Sequence, residues 1–333
     1  AGALARNTES IALWPSVYNK GATKILDWTA LMGPSAVYNK EVGQLIGAYW
    51  KQKVDKGQNA FSVSINYTAD DDNGNETDPT SGGFMTGNSQ ASFLAQIGYA
   101  GPQWGVAFGY RYGQCESGNG YRRGTEFAKF DGTWNNQCSY QPRENVTING
   151  TEYNVPKGSV NSDGDYVLDA SKRSGASTNS YALNAYWQPE NPGFIPSISV
   201  GWGINQNTTS NKRGGTPVNS QSWMVGLKWD DVFLKGNDLG FAVGQPTFTT
   251  GLESCDGKRS DKREVCGSTP FDGNYVFELF YNFQVTDNIK VTPAIFYLSR
   301  PMGQYTNNLV ENGQGYDGQF NVFGGLIQTT FKF

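Results

Sequence analysis

The sequence predicts an all-β protein, a transmembrane antiparallel up-and-down β-barrel. Apolar and polar residues alternate with period two in about eleven segments, and the connections between these segments alternate between long and short. No apolar run approaches the roughly 20 residues that a membrane helix needs. The 333-residue chain is polar on average, with 37% hydrophobic residues and a mean hydropathy of −0.53. A barrel tolerates this composition because half of each strand faces away from lipid.

The alternating segments run along the whole chain. A weak first segment has Ile46, Ala48 and Trp50 on its apolar face. The clearest two cover residues 61–67 and 104–112, in which aromatic and β-branched residues alternate with small or polar ones. The same alternation predicts further strands within residues 93–99, 181–187, 198–204, 223–229, 239–243, 275–283, 289–297 and 323–333.

The connections favour a barrel in lipid over a soluble sandwich. Long connections cover residues 69–89, 113–178, 206–221, 246–273 and 300–321, and short ones cover 53–59, 100–103, 188–195, 230–238 and 285–288. Outer-membrane barrels have short periplasmic turns and long external loops, whereas a sandwich has no reason for this asymmetry. Aromatic residues also sort by strand end, with Trp50, Trp104, Trp187, Trp229 and Phe333 beside the short turns and Tyr67, Tyr112, Tyr181, Tyr275 and Tyr297 opposite.

Charged residues avoid the apolar faces of the predicted strands. A Lys or Arg that faces the middle of a bilayer costs about 2 to 4 kcal/mol, so the charges are expected to project into the lumen. We predict pore-lining roles for Lys51, Arg111, Lys228, Glu278, Lys290 and Lys332, with Lys53 on the same face. This excess of basic groups predicts a modest preference for anions.

The connection at residues 113–178 is too long for an ordinary turn. Its charges have both signs, which suits a loop that folds inward and sets a transverse field across the pore. We predict a constriction loop that contains Arg122, Arg123, Glu126, Lys129, Asp131 and Arg173. The alternative is an external loop that packs on its neighbours or on a partner subunit, while another segment narrows the pore.

Four cysteines fall into two close pairs within Gly- and Asp-rich stretches. Cys115 with Cys138, and Cys255 with Cys266, predict two loop disulfides in an oxidising compartment, with free thiols as the alternative. The chain has no His and no C-x-x-C spacing, which argues against a zinc site and against the usual catalytic base. We expect no metal, no cofactor and no enzymatic activity. A net charge of −4 without a basic cluster argues against nucleic acid as a partner.

Several stretches resemble the barrel part of cyanobacterial outer-membrane porins, most closely the marine picocyanobacterial type. They are residues 2–10, residues 38–40, residues 61–67, residues 275–301 and the closing Phe-Lys-Phe. These porins are related to the carbohydrate-selective porin family and are often labelled iron uptake porins. The resemblance implies a place in the outer membrane of a Gram-negative, cyanobacterial cell and a homotrimer of barrels with about sixteen strands each.

The resemblance also implies an N-terminal surface-layer homology domain that binds the cell wall, and this chain contains no such domain. Residues 1–333 are therefore expected to form one porin barrel domain that lacks its N-terminal strands, with eleven to twelve strands present. The expected function is passive diffusion of small polar solutes through a water-filled lumen: inorganic ions, iron among them, and small sugars. The alternative is a structural or adhesive barrel with a plugged lumen, whose loops bind a partner.

Overall fold

The computed structural model is an all-β structure built on one twelve-stranded antiparallel sheet. It describes residues 1–19, 24–70, 74–75, 77, 82–87, 89–114, 124–125, 128, 139–140, 143–148, 150–160, 166–168, 172–173, 177–191, 193–208, 217–252, 270–303, 306, 310–311, 314–315 and 320–332. We number the sheet strands in chain order: β1 Gly2–Arg6, β2 Val42–Lys51, β3 Ala60–Asp70, β4 Ser92–Ala100, β5 Trp104–Gln114, β6 Ser177–Trp187, β7 Ser197–Thr208, β8 Pro217–Asp230, β9 Asp238–Leu252, β10 Tyr275–Thr286, β11 Ile289–Ser299 and β12 Asn321–Phe331.

The topology is up-and-down, because every sheet strand pairs with the strand that follows it in this order. The predicted fold class is confirmed, and each predicted alternating segment lies within one sheet strand except for the end of the last, which runs past Phe331. Gly2–Arg6 is a further strand, as predicted for residues 1–6 from the even strand count that a barrel with both termini on one side of the membrane requires. The strands β1 and β12 stand at the two ends of the strand order, and no register joins them within the described part of the chain.

The two faces of the sheet differ in polarity as period-two alternation predicts. In β3 the outward side chains Phe61, Val63 and Ile65 are 41 to 50% exposed, whereas the inward Ser62 and Ser64 are buried. Directly paired residues on neighbouring strands share a face, so the register extends this division across the sheet. The apolar face is exposed along strand after strand, and the polar face is the interior.

The connections also differ by end as predicted. At one end they cover residues 52–59, 101–103, 188–196, 231–237 and 287–288, and at the other end they cover 7–41, 71–91, 115–176, 209–216, 253–274 and 300–320. The predicted long connection 206–221 is the exception, because β7 and β8 extend into it and leave only residues 209–216 between them. Short strand pairs lie in two of the long connections: Ser139–Tyr140 with Lys172–Arg173, Arg143–Ile148 with Thr151–Pro156, Gly158–Val160 with Tyr166–Leu168, and Val310–Glu311 with Gln314–Gly315. The described helices are a 3-10 turn at Asn7–Ser10 and one α-helical turn, α1, at Asp27–Ala30. Neither is long and apolar enough to cross a membrane.

The connection between β1 and β2 lies against the interior face of the sheet. We call residues 7–41 the inner strap. On its outward run, its backbone N–H groups donate to inward side chains of Ser64 on β3, Gln96 on β4 and Ser199 on β7. The run reaches β10, where the Tyr18 hydroxyl donates to Glu278. The strap therefore spans the interior from β3 to β10.

The strap then returns along the same face of the sheet. The carbonyl of Met32 accepts a hydrogen bond from Asn184 on β6, and the carbonyl of Ala36 accepts one from Arg111 on β5. The N–H of Asn7 donates to the carbonyl of Glu41 at 2.9 Å, which joins the start of the strap to its end. The strap is thus a closed loop that lies on the inner wall.

Two apolar clusters hold the strap against the wall. The first packs strap residues against wall residues of β8 to β11, and its buried members are Tyr18, Trp28, Met224, Ala242, Val276, Phe280 and Ala294. The second packs against β4 and β6, with Leu31, Met32, Val37, Tyr38, Leu94 and Ala182 buried. Because most other inward wall residues are polar or small, these clusters form local apolar patches in a polar interior.

Inward glycines of the wall mark the path of the strap. An added Cβ at Gly201 on β7 would lie 1.8 Å from the carbonyl oxygen of Met32, so the strap backbone occupies the space of a side chain. Comparable close approaches occur at Gly98 with Leu13, Gly109 with Tyr38, Gly203 with Pro34, Gly226 with Tyr18 and Gly244 with Trp28. The wall is shaped to fit this segment.

Candidate functional site: the lumen and the inner strap

Arg111 lies on the inner wall as predicted, but the strap covers it. Its side chain is 1% exposed, its Nε donates to Ser92 at 2.8 Å, and its Nη2 lies 3.6 Å from a carboxylate oxygen of Glu41. This differs from the expectation that Arg111 lines open water. Its charge is paired within the strap, because a buried guanidinium needs both a counter-charge and hydrogen-bond acceptors.

Burial also affects the titratable groups at the end of the strap. Burial raises the pKa of the Glu41 carboxyl, and the Arg111 guanidinium opposes this shift only in part. Burial lowers the pKa of Lys40, whereas the neighbouring Asp27 carboxylate, which bonds to both Lys40 and Lys24, raises it. The strap thus carries its own ionic contacts as well as those to the wall.

Glu278 lies on the inner face of β10 and is also covered, with 1% exposure. Its carboxylate accepts hydrogen bonds from the Tyr18 hydroxyl at 2.8 Å, the Leu26 N–H at 2.8 Å and the Thr29 hydroxyl at 3.0 Å. Three donors on both runs of the strap therefore meet one wall carboxylate. Glu278 was predicted to line the pore, and in the structure its observed contacts attach the strap to the wall.

Lys228 and Lys290 lie on the inner wall at the short-turn end, and both are partly exposed. Lys228 bonds Asp230 at 2.6 Å and lies 3.6 Å from Asp238, and Lys290 lies 3.7 Å from Asp238. The side chains of both lysines are about a quarter exposed. The sequence analysis overlooked Asp230 and Asp238. Asp230 lies two residues after Lys228 and therefore on the same face of β8, and Asp238 pairs with Asp230 in register and shares that face. The pairing of the lysines with these aspartates reduces the predicted basic excess.

The remaining two predicted pore-lining residues are exposed. Lys51 at the end of β2 pairs in register with the inward Ser62, so it shares the interior face. Lys332 follows β12, and its backbone N–H donates to the carbonyl of Asn288 at 2.9 Å. Of the six predicted residues, the structure therefore brings Lys228 and Lys290 together and buries Arg111 and Glu278. Lys51 and Lys332 lie at strand ends.

Part of the long connection at residues 113–178 contacts strand β9. The N–H of Thr125 donates to the carbonyl of Thr247 on β9, and its hydroxyl donates to Asp272 at 2.7 Å. Asp272 also accepts from the Thr249 N–H, so one carboxylate joins this connection to β9. The predicted Arg122, Arg123, Glu126, Lys129 and Asp131 lie outside the described residues, as does the side chain of Arg173. The constriction loop stays a prediction.

Both predicted disulfides also lie outside the described residues, which exclude Cys115, Cys138, Cys255 and Cys266. Their pairing stays a prediction. The strap, by contrast, is a feature that the sequence analysis missed. The sequence analysis assigned no structure to residues 7–41. The inward glycines were a usable signal, because glycines leave room for a segment that packs on the wall, and an uncovered polar interior does not need so many of them.

A model of the carbohydrate-selective porin, OprB family, matches residues 56–333. The chain belongs to this family. This membership places the described β-barrel in the outer membrane. It agrees with the resemblance drawn from the sequence and with a sheet that is apolar outside and polar inside.

Two curated relatives come from cyanobacteria. The uncharacterized protein sll0772 of a Synechocystis species is 29% identical over 149 residues, which are 42% of this chain and 23% of that protein. The uncharacterized protein alr4550 of a Nostoc species is 26% identical over 163 residues, or 47% and 22% of the two chains. The matched part thus spans less than a quarter of each relative.

Among solved structures, the high-pH structure of Pseudomonas putida OprB is similar at 15% identity with a TM-score of 0.39. The match covers 85% of this chain and 58% of that chain.

Proposed function

We propose that this OprB-family porin lets small neutral polar solutes, sugars among them, diffuse passively across the outer membrane. The observation that carries the proposal is the compensation of charge on the inner wall. Arg111 faces Glu41, and Lys228 and Lys290 face Asp230 and Asp238. A wall with paired charges and many hydroxyl and amide groups offers hydrogen bonds without a strong field, which suits uncharged solutes.

The inner strap defines the route that such solutes take. It covers wall residues from β3 to β10 and is attached by hydrogen bonds and two apolar clusters. The strap therefore makes the lumen narrower than it would be if the wall alone bounded it. We infer that the strap narrows the pore, as in the alternative in which a segment other than residues 113–178 does so, and the constriction loop at residues 113–178 stays a prediction beside it.

The experiment is a paired measurement on the protein reconstituted in lipid. Liposome swelling would be recorded with a series of neutral sugars of increasing size, and single-channel conductance with a salt gradient. We expect swelling that slows with sugar size and a reversal potential near zero, because Arg111, Lys228 and Lys290 on the wall have carboxylate partners. A reversal potential near the value for perfect chloride or cation selectivity would contradict the neutral-solute proposal, although it would still show that the protein is a channel.

A second candidate function is a structural or adhesive barrel, and the strap is the observation that favours it. A segment packed into the interior with buried side chains is also what a plug requires. The same experiment separates the two functions. Neither conductance steps nor sugar swelling would appear for a plugged barrel, whereas a strap that only narrows the lumen leaves both.

The finer expectations remain proposals of their own. They are passage of inorganic ions and of iron, assembly as a homotrimer, and attachment to the cell wall. Flux of ferric complexes into liposomes tests the passage of iron, and the mass of the detergent-extracted complex tests the homotrimer. An iron flux no faster than that of a neutral solute of equal size, or the mass of a single chain, would remove the corresponding proposal.

A further inference from the structure

Four large apolar side chains project from two of the short turns. Phe194 and Ile195, in the turn between β6 and β7, are 96% and 61% exposed, and Phe233 and Leu234, in the turn between β8 and β9, are 91% and 60% exposed. We call these four residues the rim patch. By comparison, the outward Leu279 on β10 is 39% exposed. An exposed apolar patch on a protein marks a surface that meets a partner other than water.

Direct contacts tie the patch to the outer face of the wall. The Trp229 indole N–H donates to the carbonyl of Phe194 at 2.9 Å, and the Tyr281 hydroxyl donates to the carbonyl of Val232 at 2.9 Å. The rings of Phe233 and Tyr281 have their centroids 6.2 Å apart. Trp229 and Tyr281 belong to one outward row of residues across β8, β9 and β10. The two turns therefore border the same stretch of the outer face.

The backbone of Phe233 gives a second indication. Its φ is 62°, in the left-handed region that Gly and Asn enter readily and a bulky residue enters at a cost. The turn is closed by its own bonds, because the N–H of Val232 donates to the carbonyl of Asn237 and the N–H of Asn237 donates to the carbonyl of Leu234. A strained position that presents an almost fully exposed ring points to a partner beyond the wall.

The patch occupies one side of the short-turn end. The other short connections, at residues 52–59, 101–103 and 287–288, contain no Phe, Ile, Leu or Trp. The first of them instead carries the exposed Lys53, Asp55 and Lys56. The difference indicates that the β6 to β9 side of the wall meets an apolar environment at the level of its turns, whereas the turn between β2 and β3 meets water.

The outer face next to the patch is recessed. A groove of about 790 Å³ runs across β9 to β12. Its outward lining residues are Leu239, Leu279, Tyr281, Pro293, Ile295 and Ile327. Because Tyr281 also packs against Phe233, the groove begins where the patch ends. The patch thus continues the apolar outer face that contacts lipid.

We propose that the rim patch is immersed in the periplasmic leaflet of the outer membrane, where its side chains contact lipid acyl chains. Short turns face the periplasm in outer-membrane barrels, which places the patch at that leaflet. The transfer of Phe and Leu side chains from water to acyl chains is favourable, and this gain offsets the strained backbone of Phe233. The proposal concerns the outer surface and does not depend on which solute the lumen passes.

The first experiment identifies the partner by photo-crosslinking in the whole protein. Phe194, Phe233 or Asp55 is replaced by p-benzoylphenylalanine, and each protein is reconstituted in phosphatidylcholine vesicles with a trace of phosphatidylethanolamine that carries a fluorescent headgroup. Leu279, on the outward face of β10, is replaced in the same way as a positive control. We expect irradiation to attach several-fold more fluorescent lipid at Phe194 and Phe233 than at Asp55, and a similar amount at Leu279.

Three results of this experiment would overturn the proposal. A crosslinked band with the mass of two chains and no fluorescent lipid would show that the patch is an interface between copies of this chain. Labelling at Leu279 without labelling at Phe194 and Phe233 would place the two turns in water. Equal labelling at Asp55 would show that every short turn reaches lipid, so that the patch has no special contact.

A second experiment measures the equilibrium constant for folding into the same vesicles by urea titration. Phe194→Ser removes a ring that makes little contact with the protein, so an equilibrium constant about tenfold lower would report the lost contact with lipid. Phe194→Leu keeps an apolar side chain and should fold nearly as well as the wild type. Phe233→Asn relieves the strained backbone, and we still expect a lower constant because lipid contact is lost. An unchanged constant for Phe194→Ser with a higher one for Phe233→Asn would contradict the proposal.

Discussion

At the long-connection end of the lumen, Arg111 is 1% exposed beneath the strap, whereas at the short-turn end the side chain of Lys228 is 23% exposed. Both residues lie on inward positions of sheet strands, and both pair with carboxylates. The partner of Arg111 comes from the strap, 70 positions away in the sequence, and the partners of Lys228 come from its own strand and the next. Strand parity therefore predicts which face a side chain takes, but not what covers that face.

This difference should be visible in the response to mutation. Substitutions under the strap change a packed interface, so they should affect stability and conductance together. Substitutions at the short-turn end change an accessible charge, so they should affect ion selectivity alone.

We expect the largest effect from Glu278→Ala. The change leaves Tyr18, Leu26 and Thr29 with buried donors and no acceptor, which should cost about 4 kcal/mol of stability. Channel conductance should rise because the strap loses its attachment to β10. Denaturant titration and single-channel recording measure the two effects. Glu278→Gln keeps one carbonyl acceptor and should lose less, and equal losses for Ala and Gln would show that the hydrogen bonds are not the cause.

Gly201→Ala should come next. Its Cβ would lie 1.8 Å from the Met32 carbonyl oxygen, a position that only a shift of the strap can relieve. We expect a loss of about 3 kcal/mol and a higher conductance. Gly193→Ala is the matched control, because no atom lies within 4 Å of the added Cβ. A neutral Gly201→Ala variant would mean that the strap does not occupy this part of the wall.

Tyr38 predicts a loss of stability at alkaline pH. Burial raises the pKa of its hydroxyl to about 12, although the hydrogen bond from Gln96 lowers it in part. Because the pKa of Tyr38 is raised in the folded state, the contribution of its protonated hydroxyl to the free energy of unfolding is complete below the unfolded pKa of about 10. This contribution is lost as pH rises through 12. The loss should reach about 2 kcal/mol across this window.

The test compares the slope of stability between pH 10 and pH 12 in wild-type protein and in Tyr38→Phe. The variant should have a shallower slope, whatever its stability at neutral pH. Tyr49→Phe, an exposed tyrosine on β2, should keep the wild-type slope. Parallel slopes in all three proteins would remove Tyr38 as a cause of alkaline unfolding.

The smallest effect is expected from Asp238→Asn at the short-turn end. The change leaves Lys228 and Lys290 with one fewer carboxylate, so the reversal potential in a salt gradient should shift toward the anion. Stability should change by less than about 1 kcal/mol, because these ion pairs are partly exposed. Asp287→Asn, in the exposed turn after β10, should leave the reversal potential unchanged. A shift of equal size in both would place the effect in the general charge of the protein.

The fold could be predicted from the sequence because period-two alternation is a local signal that repeats. Each predicted strand is present, and the long and short connections lie where they were expected except at residues 209–216, where longer strands leave a short connection. Gly2–Arg6 has too few alternations to stand out by periodicity, and it was predicted only from the even strand count that a barrel requires. Its pairing with Val42 to Leu45 depends on a register that skips residues.

The candidate site could be predicted only in part. Parity placed Arg111, Lys228, Glu278 and Lys290 on the interior face, and all four lie there. The strap could not be predicted from periodicity, because its described residues form a 3-10 turn, one α-helical turn and otherwise irregular backbone. Its partners are distant in sequence, as the contact between Leu26 and Glu278 shows.

Much of the adhesion between strap and wall involves the strap backbone. Wall side chains bond to the N–H groups of Ala12, Leu13, Val17, Tyr18 and Leu26 and to the carbonyls of Asn7, Met32 and Ala36. Peptide groups are the same whatever residue carries them. The strap could therefore diverge in sequence while keeping its course, and related chains should preserve the wall groups along this course more faithfully than the strap residues they bind.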